Sequence, residues 1–410
     1  VALLTRRERP GRSGTDRQVA ELLATARQAL GLSVAFLSRL DGTTQHIEVV
    51  EASGPASLLF REGATQVQAT SLCQAILDGD LPPVIPDLTR HDAGMKLPAA
   101  RMPRIRSYVS VPVRLSDGRL YGTFCAAGLT TDKALTKRDQ ALMEVLARAA
   151  AVVLEPEVVE HERRSEIEDR ILPVIERGGP VVVVQPIVDL VTGRRVGAEA
   201  LSRFPAEWGL TPDVVFAQAH SVGLGHELEL LALMRAAEHL DEIGGYVAMN
   251  LSPATLQLPQ VIDTLSALDA PRVLLELSEH DPVDDYDELS EAIEPLRHAG
   301  MRLAVDDVGA GFSSLRHIVL AHPDVIKLDR SLVHGVCDDP VLSTLVRSLV
   351  DFGHTAGATV VAEGIEDARE ADALRALGVD HGQGWHFGRP GPASDLAPAD
   401  GAGAPARTQV

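Results

Sequence analysis

Apolar residues in the second half of the chain fall into eight short runs separated by polar stretches. The clearest are Ala198-Glu199-Ala200-Leu201, Val247-Ala248-Met249-Asn250, Leu274-Leu275-Glu276, Leu303-Ala304-Val305-Asp306-Asp307, Val325-Ile326-Lys327 and Val360-Val361-Ala362-Glu363. Runs of this length predict buried strands. Between the later runs the apolar period changes to that of a helix, over Glu227–Glu242, Tyr286–Ala299, Asp339–Ala356 and Asp367–Leu377, and such alternation marks βα units. The first two runs, Val181–Ile187 and Arg195–Leu201, are separated only by Val188–Arg194. A parallel crossover needs a dozen or more residues, so this pair must be antiparallel. Residues 180–390 therefore predict an eight-stranded α/β barrel with one reversed strand. Nearly every run ends in an acid, an amide or a lysine, and a parallel barrel delivers its strand ends to one face.

The first half reads differently. A helix is expected over Arg17–Leu30. Two hairpins follow from Asp-Gly turns: Val34–Leu40 with Gln45–Ala52, and Tyr108–Leu115 with Leu120–Ala127. A closing helix over Thr136–Leu154 completes an α+β domain, residues 16–154, with one antiparallel sheet and helices on one side. Residues 155–179 form a helical connector interrupted by Pro156 and Pro173, either a bent helix or a solvated linker; no heptad repeat supports a coiled coil. A flexible arm (1–15) and a Pro/Ala/Gly-rich disordered tail (391–410) are expected at the ends.

Composition narrows the function. The 410 residues allow two or three domains. A net charge of −20 argues against nonspecific nucleic-acid binding and requires local cations to hold an anionic substrate. No apolar stretch reaches membrane-spanning length, and Val1–Arg17 lacks the apolar segment of a signal peptide. The chain begins with Val1, which leaves the true N-terminus open. Three scattered cysteines, Cys73, Cys125 and Cys337, suit a reducing cytoplasm.

On the barrel reading, Glu199, Glu276, Asp306, Asp307 and Glu363 converge. Two carboxylates ~6 Å apart repel by roughly 3 kcal/mol at an effective dielectric of 20. Five together need protonation or, better, cations. Carboxylates plus the amide of Asn250, with no nearby thiolate, suit Mg²⁺ or Mn²⁺ over Zn²⁺. Adjacent Asp306 and Asp307 suit a two-metal site with a bridging carboxylate, the kind that drives in-line displacement at phosphorus. With Lys327 and Arg203 the five acids sum to −3, and two divalent ions bring the site to +1, able to accept a dianion.

These residues lie in ordered motifs: Gln185-Pro186-Ile187, Glu199-Ala200-Leu201-Ser202-Arg203, Asn250-Leu251-Ser252, Glu276-Leu277-Ser278-Glu279, the run from Asp306 to Leu315, Lys327-Leu328-Asp329, Glu363-Gly364-Ile365-Glu366 and the run from Gln383 to Pro390. Spread over 206 residues, they resemble the EAL phosphodiesterases, which hydrolyse the bacterial second messenger cyclic di-GMP. The resemblance implies a modified TIM-like (β/α)8 barrel and a homodimer. It implies that Glu199, Asn250, Glu276 and Asp306 bind one metal and that Asp306, Asp307 and Glu363 bind a second. It gives Lys327 the attacking water, with Glu363 helping to deprotonate it. Glu366 and Gln383 would complete the hydrogen-bond shell of that water. Arg203 would grip a phosphate, while Gln185 and Pro390 would border the dinucleotide. Glu279 would anchor the Asp306–Leu315 loop. Val308 and Trp385 depart from the usual Phe and Tyr, and the smaller Val308 puts the rate in doubt more than the chemistry.

The rival reading is a barrel that binds cyclic di-GMP, or a protein partner, without hydrolysing it. Such chains usually lack a metal ligand or the lysine; here none is missing. His91-Asp92 and His280-Asp281 evoke His-Asp phosphohydrolases, but those sites need further histidines on helices. Asp329 and Glu279 suit supporting roles, and Arg389 either fixes its loop or touches substrate. The first domain resembles a GAF sensor through Ser71-Leu72-Cys73, Val84-Ile85-Pro86-Asp87, Ile105-Arg106-Ser107-Tyr108, Val111-Pro112-Val113 and Leu120–Cys125. Its ligand is unknown: the signal would be a small molecule or a redox change. Cys73 reads first as a small buried cysteine and second as a ligand-facing or redox-active thiol. His46 and His91 are weak candidates for haem ligands.

Overall fold

The computed structural model describes residues 13–98, 105–278, 285–309 and 319–396, beginning with Ser13. Its side chain accepts the Asp16 amide, and Asp16 returns the bond to the Ser13 backbone. This capping box starts a helix at Gly14, inside the stretch expected to be a flexible arm. The chain divides into two compact units, Val1–Arg163 and Arg164–Val410.

The first unit holds a six-stranded antiparallel sheet built from β1 (Val34–Leu40), β2 (Thr44–Ala52), β3 (Thr65–Val67), β4 (Val84–Ile85), β5 (Ser107–Arg114) and β6 (Leu120–Gly128). Their order is β3-β2-β1-β6-β5-β4. Both hairpins predicted from the Asp-Gly signals are present. The expectation of helices on one side is corrected. Strand β1 is buried at five consecutive positions, and β6 is buried from Gly122 to Gly128; strands apolar on both faces need cover on both. The helix Gly14–Leu30 and the start of a later long helix pack Leu23, Met143 and Leu146 on one face. Leu72, Cys73, Ile76 and Leu88, from short helical turns, cover the other.

The long helix runs unbroken for 40 residues, Lys137–Glu176, through both Pro156 and Pro173. Ile167, Ile171 and Val174 repeat at helical spacing beyond Pro156 and are buried against Val215, Ala219 and Leu228 of the second unit. That packing carries the helix past the point where the prolines alone would end it. None of the described helices is long and apolar enough to cross a membrane.

The second unit is a closed barrel of β7 (Val181–Asp189), β8 (Arg195–Arg203), β9 (Tyr246–Asn250), β10 (Val273–Ser278), β11 (Arg302–Val308), β12 (Val325–Leu328), β13 (Thr359–Ala362) and β14 (His381–Gln383). Strand β7 is antiparallel to both neighbours, β8 and β14, and all other pairs are parallel. The barrel with one reversed strand is thus present, and the reversed strand is the first. Ile187, Ala248, Leu274, Ala304, Val325 and Val361 form a separate apolar cluster, a layer drawn from six different strands. Residues two positions further along point the same way, because side chains alternate along a strand; from β10 to β13 that step reaches Glu276, Asp306, Lys327 and Glu363.

The expected tail is corrected at its start. Gly391 exchanges both backbone hydrogen bonds with Val184, at 2.8 and 3.0 Å, and Ala393 is buried. The chain therefore stays on the barrel through Leu396.

Candidate active site

Lys327 sits at the centre of the polar layer and is almost wholly buried. Its Nζ lies 2.8 Å from Glu276, 3.2 Å from Asp306, 2.5 Å from Glu363 and 3.7 Å from Glu199. Burial pushes the lysine pKa down, but Asp306, Glu199, Glu276 and Glu363 together outweigh it and hold the ammonium above its ordinary range. Glu276, fully buried, is pushed well above the usual carboxylate range by desolvation, with Glu199, Asp306 and Glu363 adding repulsion that Lys327 only partly offsets. Glu363 is raised in the same way, by burial and then by Asp306.

The expectation that the acids cap their strands holds for Glu363, which directly follows β13, and is corrected for the others. Glu199, Glu276, Asp306 and Lys327 lie inside β8, β10, β11 and β12, so the cluster sits within the barrel mouth rather than on its rim. Asp306 and Asp307 are a special case. Successive strand residues normally face opposite ways, yet both carboxylates reach the site. The register of β11 against β12 shifts between Val305 and Val308, and Asp307 adopts a left-handed φ of 59°. Aspartate tolerates that conformation better than most residues, and the irregularity turns neighbouring side chains toward one cavity.

Two carboxylate triads result, Glu199–Glu276–Asp306 and Asp306–Asp307–Glu363, each with one oxygen per residue within 4.8 Å of the others. Asp306 belongs to both. Glu276 Oε1 and Glu363 Oε1 are buried without an aligned hydrogen bond, as is Lys327 Nζ: the groups crowd together by charge but do not satisfy one another. Five carboxylates against one lysine leave four negative charges in a desolvated pocket. Hard-oxygen donors, a shared carboxylate and orphaned oxygens fit a pair of Mg²⁺ or Mn²⁺ ions.

Other predicted residues join the cluster by hydrogen bonds. Asn250 Nδ2 donates to Glu199 Oε1 (3.2 Å) and Glu276 Oε2 (3.3 Å), so offering oxygen to a cation requires its amide to turn over. Gln383 Nε2 donates to Glu199 Oε2 (2.5 Å) and Gln185 Oε1 (3.1 Å). Gln185 in turn donates to the Gly388 carbonyl at 3.0 Å, which ties β7 to the segment carrying Pro390. Two predictions do not join. Arg203 donates to the Ser202 carbonyl at 2.9 Å. Glu366 pairs with Arg330 at 2.5 Å. Glu279 lies outside the described residues, as does His280-Asp281. Asp329 caps the turn Arg330–Val333, accepting the Ser331 amide, and Arg389 lies over the Trp385 ring at 4.4 Å. In the first unit His46 pairs with Asp41 at 2.8 Å.

The sequence reading missed Glu229. This buried carboxylate accepts the Ser252 amide (3.0 Å) and hydroxyl (2.8 Å) with one oxygen and meets His220 with the other. It therefore pins the segment directly after Asn250. A glutamate on a helix predicted to pack against the barrel was the available signal, and helical period alone does not separate it from its exposed neighbours.

The EAL domain family model matches residues 167–390, more than half of the chain. The chain belongs to the EAL-domain family. A GAF domain model matches residues 15–154 ahead of it. The chain is 31% identical over 240 residues to the probable cyclic di-GMP phosphodiesterase PdeB of Escherichia coli strain K12, covering 55% of this chain and 46% of that protein. It is 30% identical over 286 residues to an uncharacterized protein, y4lL, of Sinorhizobium fredii, covering 64% of this chain and 34% of that one. The chain thus spans between a third and a half of the length of these curated relatives. Among solved structures, the PaMucR phosphodiesterase in complex with c-di-GMP is 27% identical, with a TM-score of 0.51, and its whole length covers 57% of this EAL protein. The EAL enzyme Bd1971, 19% identical with a TM-score of 0.52 over 88% of this chain, shares the fold.

Proposed function

We propose that this EAL domain is a metal-dependent phosphodiesterase that hydrolyses cyclic di-GMP to linear pGpG. The observation that carries the reading is the sharing of Asp306 between two carboxylate triads around buried Lys327. Glu199, Asn250, Glu276 and Asp306 would hold one divalent cation, and Asp306, Asp307 and Glu363 a second. Bound Mg²⁺ or Mn²⁺ would supply Lewis acidity toward phosphate and lower the pKa of water. The chain's own groups do the rest. Lys327, held by four carboxylates, keeps a fixed positive charge and three N–H donors where a water would be oriented. Glu363, 2.5 Å from Lys327 Nζ, would help to take a proton from that water. Gln383 fixes Glu199, and Gln185 and Pro390 border the dinucleotide. Arg203, on the rim end of β8, would swing from the Ser202 carbonyl to a phosphate, a task for which its planar fork is suited. Glu366 would serve the water shell only after leaving Arg330. The relatives named for this activity support the reading, as does a complete ligand set where a mere receptor would be expected to lack a member.

Purified protein incubated with cyclic di-GMP and Mn²⁺ or Mg²⁺ should release the linear dinucleotide, resolved by liquid chromatography. Glu199→Ala and excess EDTA should each abolish release. Tight binding without turnover in either metal would sink the enzymatic reading in favour of a receptor. The GAF unit would regulate the reaction through a small-molecule or redox signal. Activity that stays unchanged under every condition after removal of residues 1–160 would count against that role.

A further inference from the structure

Cys73, on the short helix Leu72–Leu77, and Cys125, on β6, face each other inside the first unit with their sulfurs 3.4 Å apart. A disulfide needs about 2.05 Å, so the sulfurs must close by roughly 1.4 Å. We propose that Cys73 and Cys125 are a redox-active dithiol, converted by a small hydroperoxide into an intramolecular disulfide.

The surroundings separate this pair from inert core cysteines. A thiol buried for packing needs only apolar neighbours. Here Gln45 Nε2 donates to Cys73 Sγ at 3.0 Å, and the Tyr108 hydroxyl lies 3.0 Å from the same sulfur. Gln45 is itself fixed by Ser38 and Gln66. Ser110 Oγ and Thr123 Oγ1 lie 3.3 and 3.2 Å from Cys125 Sγ. Ser38, Gln45, Tyr108, Ser110 and Thr123 are all at most 1% exposed. Gln45, Tyr108, Ser110 and Thr123 each stand at hydrogen-bond distance from one of the sulfurs, and Ser38 holds Gln45 and Thr123 in place; hydrogen bonds of this kind stabilise a thiolate that an apolar pocket would not. The environment also treats the two thiols unequally. Hydrogen bonds from Cys125, then from Thr123, Tyr108 and Gln45, pull Cys73 down against its burial, whereas burial pushes Cys125 up. The geometry agrees: the Gln45 amide donates to Cys73 Sγ, whereas the Cys125 thiol itself donates to Thr123 Oγ1, so Cys73 takes the part of the attacking thiolate and Cys125 that of the resolving thiol.

The chemistry balances with a hydroperoxide as the only oxidant. The Cys73 thiolate attacks one peroxide oxygen, the O–O bond breaks, and the leaving alkoxide or hydroxide takes up a proton, giving a sulfenic acid. The Cys125 sulfur then attacks that sulfur as its thiol gives up a proton. The S–S bond forms, the S–O bond breaks, and the departing hydroxide leaves as water with that proton. Two thiols and one hydroperoxide become one disulfide, one alcohol or water, and one further water. Enclosure of both sulfurs restricts the oxidant to small neutral species such as hydrogen peroxide.

Reduced full-length protein should be titrated with hydrogen peroxide, unfolded in an alkylating agent, digested and mapped by mass spectrometry. A linked Cys73–Cys125 peptide should accumulate until neither thiol alkylates, and dithiothreitol should reverse it. In Cys125→Ser, a sulfenic-acid probe such as dimedone should label Cys73. Partly exposed Cys337 reports that oxidant was present. Recovery of both Cys73 and Cys125 as free alkylated thiols, at peroxide levels that oxidise Cys337, would overturn the proposal. The wild-type map decides the matter even if the serine variant fails to fold.

Discussion

Lys327, itself almost wholly buried, holds four carboxylates at 2.5 to 3.7 Å, and its removal tests the electrostatic account directly. Breaking a buried charge arrangement by deleting one partner costs about 3–5 kcal/mol. Lys327→Met should therefore lower the denaturation midpoint in EDTA by that order, and saturating Mg²⁺ or Mn²⁺ should recover part of the loss. A midpoint unchanged in EDTA would mean that the carboxylates are neutral without the lysine. At this scale the sequence was most legible where motif order marked the carboxylates that the barrel brings together, from Glu199 to Glu363. It was silent where function depends on backbone shape. Nothing in the letters Asp306-Asp307 discloses the register shift and left-handed turn that aim both side chains into one pocket. Arg203 and Glu366 were legible as residue types but not as conformations, since each pairs with a local partner, the Ser202 carbonyl and Arg330.

Among the elements, the helix Lys137–Glu176 departs furthest from local expectation. Proline lacks the amide that would bond four residues back, and its ring crowds that carbonyl. Two prolines inside one helix persist only because the flanking turns are packed, at Met143, Leu146 and Ala150 before Pro156 and at Ile167 and Ile171 before Pro173. Pro156→Ala should raise the unfolding midpoint, with a gain of about 1–3 kcal/mol by denaturant titration, reduced by the greater freedom of the unfolded chain. A loss of stability would indicate that the helix depends on the bend for its packing. The strands tell the opposite story. Asp-Gly turns and short apolar runs place both hairpins and the antiparallel pair β7–β8 within a residue or two, because turn chemistry and chain length are local constraints. Cover on the second face of the β1–β6 sheet was not legible, because Leu72, Cys73 and Leu88 come from turns too short to show a period.

The molecule as a whole carries twenty net negative charges, and its barrel gathers five carboxylates into one buried to half-buried cluster. The raised values of Glu276 and Glu363 give the sign of the pH dependence. A carboxyl group whose pKa is higher when folded than when unfolded favours the folded state below the ordinary carboxylate range, and that contribution is lost as pH rises through the raised value. Metal-free protein should therefore lose barrel stability between acid and neutral pH. Divalent cations need deprotonated ligands, so the rise in Tm on adding Mg²⁺ or Mn²⁺ to EDTA-treated protein should be larger at pH 8 than at pH 5. Equal shifts at both values would argue against binding at these carboxylates. One further consequence belongs to the direction of β7. In a uniformly parallel barrel the chain enters at the floor, opposite the catalytic face. Here Val181 pairs with Arg203, so the chain comes in at the lip of the vessel, beside the residue proposed to grip phosphate. The first strand of the barrel therefore meets the opening directly, bonded to β8 on one side and β14 on the other, without crossing the packed interior.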